Sequence, residues 1–222
     1  MQIDERQIRA IVEEVVGELV SGTAPRGQSS IVSYPGVFGD IEKAIQAAHR
    51  AFAEYRGTPV QTRREIITRV RATIAEHVEE ISRLAVDETR LGRADDKVKK
   101  NLLAAEKTPG VEDLESLSET DEFGMTLTER APYGLIGAIT PSTNPTESII
   151  CNAIGMIAAG NSVVFNAHPS AKRVSALTVG LINQAIEEAG GPRNLVTTVS
   201  NPTIESAQHM MHHQLEIGRA HV

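Results

Sequence analysis

Leu135-Ile136-Gly137-Ala138-Ile139-Thr140-Pro141-Ser142-Thr143-Asn144-Pro145 runs from strand through turn into helix without a break. The apolar run 135–139 has the length of a buried strand. Pro145 suits a first helical position, with Asn144 as its N-cap, and the helix runs to a stop at Gly160. The same order then repeats. Ser162-Val163-Val164-Phe165 reads as a strand, Ser170 caps a helix through about Ala189, and Gly190-Gly191-Pro192 turns the chain into a strand over 195–199. Alternating strands and helices imply an α/β fold with a parallel sheet covered on its faces. Ligands in such sheets bind beyond the carboxyl ends of the strands, which singles out the loops 140–144 and 166–170.

Upstream of this stretch the character changes. Residues 1–130 hold 24 acids and 18 bases, whereas 131–222 hold 5 and 4. A charged, helix-patterned front thus precedes an apolar back, as peripheral helices precede a buried parallel sheet. Asp40 can cap a helix whose apolar face is Ile41, Ala44, Ile45, Ala48 and Phe52. Thr62-Arg63-Arg64-Glu65 reads as a capping box opening one long helix, with Ile67, Val70, Ile74, Val78, Ile81 and Leu84 on one face and a stop at Gly92. A third helix is expected from about Asp95 to Lys107, and the alternation over 125–128 suggests an exposed or edge strand.

At the front, Ile8, Ile11, Val12, Val15 and Leu19 form one helical stripe over residues 4–20, followed by a Gly/Ser/Pro/Gln-rich linker over 21–35. So short a helix is marginal alone and needs a partner surface. Two partners are open on pattern alone: its own domain, or another protein for which it serves as a detachable address.

Composition excludes several classes. The net charge of −7 argues against a nucleic-acid partner. No apolar run approaches the roughly 20 residues that span a bilayer, and no secretory signal opens the chain. A single cysteine, Cys151, forbids an intrachain disulfide framework and matches a reducing cytoplasm. No GxGxxG follows a strand and no GxxxxGK[ST] occurs, so a nucleotide would have to use another loop chemistry. Cys151 falls mid-helix after Ile149 and Ile150, where a small apolar residue is wanted, and is not read as a nucleophile. His209, His212 and His213 include an i, i+4 pair but lack a HExxH glutamate or further ligand. They read as solvated histidines at a helix end, and no metal is expected.

Ala131-Pro132-Tyr133-Gly134-Leu135-Ile136-Gly137, Thr140-Pro141-Ser142-Thr143-Asn144-Pro145-Thr146 and Phe165-Asn166-Ala167-His168-Pro169-Ser170-Ala171-Lys172 together resemble CoA-acylating aldehyde dehydrogenases, in particular those of ethanolamine- and propanediol-utilisation bacterial microcompartments. Lys107-Thr108-Pro109-Gly110-Val111-Glu112-Asp113-Leu114 and Gly191-Pro192-Arg193-Asn194-Leu195-Val196 agree. Glu88-Thr89-Arg90-Leu91-Gly92 resembles a Glu-Thr-Gly-Met-Gly turn, with Arg90 and Leu91 as departures. The resemblance covers about residues 36–214. It implies an aldehyde-dehydrogenase-like, incomplete Rossmann-type NAD-binding domain that has lost the glycine fingerprint. It implies NAD as cofactor, coenzyme A as co-substrate and a short-chain aldehyde as substrate. Asn144 would donate to the oxyanion; Ile139, Thr140, Pro141 and Ser142 would line the nicotinamide side; His168, Pro169 and Ser170 would sit near the adenosine ribose. For His168 a capping or turn role is the plain alternative. A strand near 123–130 would serve oligomerisation, giving a homo-oligomer, and residues 4–20 would bind a microcompartment shell protein, placing the enzyme in the compartment lumen.

By the same resemblance the nucleophilic cysteine lies downstream of residue 222. Residues 217–222 resemble the translation of a common sequencing adapter, so 215–222 are expected to be a read artefact. The chain is then an N-terminal fragment, inactive by itself, with a bare apolar sheet edge. Two other readings stand beside this one: a hydrolytic aldehyde dehydrogenase, and a non-catalytic microcompartment cargo or scaffold protein.

Overall fold

The computed structural model describes residues 34–214 and 217–221. The amphipathic segment 4–20 and nearly all of the 21–35 linker lie outside these residues. Tyr34 and Pro35 already belong to the domain: the Tyr34 side chain packs on Gly180, where an added Cβ would meet the Tyr34 Cβ at 2.8 Å, and the Pro35 carbonyl accepts from Asn183 at 3.4 Å.

The described residues begin with β1 (Val37–Phe38), then four helices: α1 (Ile41–Tyr55), α2 (Val60–Glu76), α3 (Val78–Thr89) and α4 (Ala94–Lys107). An exposed ribbon of β2 (Leu117–Asp121) and β3 (Gly124–Thr128) follows. The α/β half runs β4 (Leu135–Ile139), α5 (Pro145–Ala158), β5 (Ser162–Asn166), α6 (Lys172–Glu188), β6 (Val196–Val199), α7 (Ile204–Met211) and β7 (Ile217–His221). The expected strands and helices of this half are all present, each within a few residues.

The main sheet has the order β1-β6-β5-β4-β7, and every pair is parallel. Side chains alternate across it. Val163 and Phe165 enter the larger core, under α2, α5 and α6, whereas Val164 enters a smaller one with Ala44, Ala48 and Met210. The sheet is therefore covered on both faces, which is why its strands are apolar throughout. Counted from β4, the succession β6-β5-β4-β7 is the 3-2-1-4 order of nucleotide-binding doubly wound sheets, and its switch point lies between β4 and β7.

Three expectations are corrected. The long helix after residue 60 is two, broken at His77 (φ −106°, ψ 9°). It opens at Val60 after Pro59, so Thr62 and Glu65 lie inside it and form no capping box. Ser170 does not cap α6. That helix starts at Lys172, and Glu88 of α3 caps it instead, its two carboxylate oxygens accepting from the Arg173 and Val174 amides at 2.8 Å each. β7 pairs along the outer side of β4 from Leu135↔Ile217 to Ile139↔His221, so the sheet ends at β7, which has no second strand neighbour among the described residues. Asp40 caps α1 as expected, accepting from the Lys43 amide at 3.1 Å.

Candidate functional site

Two loops emerge at the carboxyl ends of adjacent strands, since Ile139 of β4 lies in register with Asn166 of β5. After β4, the Thr140 amide donates to the Asn166 carbonyl at 3.3 Å, prolonging the pairing by one residue. The Thr140 side chain is 2 % exposed, and its hydroxyl has no partner among the described residues. A buried, unsatisfied hydroxyl costs about 1–3 kcal/mol, and this one sits at the mouth of the switch point. Pro141 and Ser142 are half-buried beside it.

Asn144 occupies the N-cap position of α5, but its side chain makes no capping bond. Its Oδ1 accepts from the Lys100 ammonium, while Nδ2 has only a 3.5 Å contact with Thr143 Oγ1, at the limit for a hydrogen bond. The amide is thus held by its oxygen and has donor capacity to spare. Behind it, Lys97 (3 % exposed) donates to the Thr143 carbonyl at 2.5 Å and lies 3.4 Å from Glu147 Oε1, itself 7 % exposed. Lys100 stands 3.6 Å from the same oxygen, and Thr146 Oγ1 donates to Oε2 at 3.0 Å. A buried charge pair with these extra bonds fixes the start of α5 in one position. Lys97, Lys100 and Glu147 escaped the sequence reading. A signal existed: Lys97, Asn101, Ala104 and Ala105 share the buried face of α4, so a lysine stands in an otherwise small-residue stripe.

After β5, His168 is exposed and caps the short 3-10 turn Pro169–Ala171. Its Nδ1 accepts from the Ser170 amide at 3.2 Å and lies 2.7 Å from Ser170 Oγ. With Nδ1 accepting, the ring proton belongs on Nε2. This is the geometry of the plain alternative given above. Pro169 and Ser170 are also exposed. Lys172 reaches Asn201 at 3.0 Å, and Asn166 Oδ1 accepts from Ser206 at 2.5 Å, tying this loop to the one before α7.

Cys151 is half-buried against the larger core, with Thr108 Oγ1 3.1 Å from its sulfur, a packed thiol as expected. The C-terminal histidines are different. His209 Nε2 and His213 Nε2 converge on one oxygen of Glu42, at 2.9 and 3.0 Å, so a carboxylate from α1 meets both imidazoles. Hydrogen bonds from His209 first and Gln46 next hold the Glu42 carboxyl below its ordinary range.

A family model described as the aldehyde dehydrogenase family matches residues 23–216. Over 208 residues the chain is 43 % identical to the acetylating acetaldehyde dehydrogenase EutE of Salmonella typhimurium, covering 94 % of this chain and 44 % of that protein. A propionaldehyde dehydrogenase from the Clostridium phytofermentans fucose utilisation bacterial microcompartment superposes with a TM-score of 0.82 at 46 % identity, over 85 % of this chain and 43 % of that one. A Rhodopseudomonas palustris propionaldehyde dehydrogenase with bound propionyl-CoA gives a TM-score of 0.82 at 44 % identity, over 90 % and 45 %. The chain spans less than half the length of the relatives it matches.

Proposed function

The chain belongs to the aldehyde dehydrogenase family, and we propose that it supplies the nucleotide-binding part of an NAD-dependent, CoA-acylating enzyme that converts a short-chain aldehyde and coenzyme A to an acyl-CoA. The observation that carries this reading is that the loop at the β4 switch point holds both a buried Thr140 hydroxyl with no partner among the described residues and an Asn144 amide anchored by its oxygen. The acylating branch, rather than the hydrolytic one, is supported by the relatives matched, one an acetylating enzyme and one with propionyl-CoA bound.

The residues fit the cofactor. Ile139, Thr140, Pro141 and Ser142 would line the nicotinamide side, where the buried Thr140 hydroxyl, without a partner among the described residues, would be available to a polar group of the dinucleotide. His168, Pro169 and Ser170 would hold the adenosine ribose, with the His168 Nε2 proton and the Ser170 hydroxyl as the hydrogen-bonding groups they offer. When bound, the nicotinamide supplies the hydride acceptor. Asn144 then acts on the substrate: Nδ2 donates to the aldehyde oxygen as it gains negative charge, and Lys100 keeps the carbonyl end of the amide turned away. Donors fixed before charge develops cost no reorganisation during reaction. Cys151, half-buried with Thr108 Oγ1 3.1 Å from its sulfur, is not assigned the attacking thiolate.

Residues 4–20 would dock on a shell protein, a reading supported by the microcompartment source of the C. phytofermentans relative. Assembly into a homo-oligomer through 123–130 is supported by the exposure of Phe123 (90 %) and Met125 (71 %) on the β2–β3 ribbon.

In an enzyme carrying this chain at the full length of its relatives, Asn144→Ala is expected to lower kcat by about 10²–10³ while calorimetric NAD affinity stays nearly unchanged. An unchanged kcat would remove Asn144 from the mechanism.

A further inference from the structure

The convergence of two imidazoles on one carboxylate oxygen has no part in the aldehyde reaction as described. His209 and His213 are one helical period apart at the end of α7, where the chain still turns: the His213 amide reaches the Met210 carbonyl at 3.4 Å. Their rings therefore face the same way, with centroids 5.7 Å apart. Glu42 lies 167 residues earlier, in the first turn of α1. One ligating atom from each of the three lies within 4.8 Å of the others.

We propose that Glu42, His209 and His213 form a binding site for a divalent cation of the zinc class. Zinc bonds to imidazole nitrogen and carboxylate oxygen are about 2.0–2.2 Å long, so tetrahedral ligand atoms sit roughly 3.3 Å apart. The two nitrogen–oxygen separations of 2.9 and 3.0 Å need to open by only a few tenths of an ångström, and the proton each Nε2 shares with the carboxylate moves to Nδ1 or leaves to solvent as the metal takes the lone pair. The carboxylate is already oriented, because Gln46 Nε2 donates to its other oxygen at 2.8 Å, the kind of outer-shell bond that fixes a metal ligand. Two neutral nitrogens and one carboxylate select a transition metal over magnesium or calcium, which prefer all-oxygen sets. The three ligands line a cleft that His49, Arg50 and His212 also line. The ion would clamp α1 to α7 over the smaller core. This inference does not depend on the aldehyde-dehydrogenase mechanism.

Calorimetric titration of the 222-residue chain, purified without a histidine tag, tests it with Zn²⁺ as the probe in excess Mg²⁺. Binding of one equivalent is expected, with a rise in the thermal midpoint. His209→Ala and Glu42→Gln should each weaken binding at least about tenfold, the lower end of what even outer-shell changes cost. His212→Ala, in the same cleft, should leave it unchanged. Absence of stoichiometric binding, undiminished affinity in His209→Ala or Glu42→Gln, or a loss in His212→Ala equal to that in His209→Ala would each overturn the assignment. A Co²⁺ spectrum of octahedral aquo type, unchanged on adding the chain, would also count against it.

Discussion

Asn144 has two ends with different duties. A side-chain amide free to rotate would present oxygen and nitrogen to a substrate about equally, and an oxygen would repel a developing oxyanion. Lys100 removes that ambiguity by binding Oδ1. In the full-length enzyme, Lys100→Ala is therefore expected to lower kcat by about 10–10²-fold, in line with the cost of small misplacements. Steady-state kinetics with a parallel melt would check this: the melting temperature should hold, because Lys100 is half exposed, and Lys100→Arg should restore part of the rate. At this scale the sequence was uneven. The loop 140–144 was readable because a strand-turn-helix places it at the carboxyl end of β4, whereas the roles given to Asn144 and Thr140 came from the resemblance alone. Lys97, Lys100 and Glu147 were not, because their meaning arises from packing α4 against α5, an event about 45 residues apart in the chain.

Among the elements, α3 ends at a conformational cost. Arg90 closes it in the left-handed region, φ 59° and ψ 22°, with its amide bonded to the Val86 carbonyl at 2.8 Å. The resembled turn has glycine at this position. Left-handed backbone costs an L-residue roughly 1–2 kcal/mol, partly offset by the greater freedom of glycine when unfolded. Arg90→Gly is expected to stabilise the chain by about 0.5–1 kcal/mol, seen as a higher thermal midpoint; a lower midpoint would contradict the account. The helices and strands themselves were largely legible, because amphipathic periods of 3.6 and 2 are written locally. The break at His77 was not, since one non-helical residue hardly disturbs the phase of the stripe from Ile67 to Leu84. Nor was the capping of α6, where the nearby Ser170 suggested a local answer and the structure uses a distant carboxylate.

For the molecule as a whole, the parallel sheet followed from the repeated strand-helix order, and its two covered faces from the uniformly apolar strands. The pairing of β7 with β4 was not foreseen, because residues 217–221 carry no strand-like alternation of their own. Global stability should also carry an acid signature. Glu112 accepts from its own amide, from the Gly110 amide at 2.9 Å and from Arg71 at 3.1 Å, and these bonds lower its carboxyl from 4.5 to about 2. A depressed folded-state value means stability that is complete above pH 4.5 and is lost as the pH falls toward 2. Urea midpoints of Glu112→Gln and the parent chain should therefore converge as pH drops through that window. Because Glu112 is half exposed, the difference will be modest and will shrink with salt.

The Glu88 bridge also gives the fold a direction in time. Glu88 is made 85 residues before the amide of Arg173 that it binds, which at ~5–20 residues per second is about 4–17 s of synthesis. α3 can be formed and waiting on the nascent chain when the start of α6 emerges. The carboxylate then offers the new helix an acceptor for its first amides at the moment they would otherwise be unsatisfied. Vectorial synthesis would thus build the α/β half against a front already in place, whereas refolding from denaturant must bring the two together by diffusion.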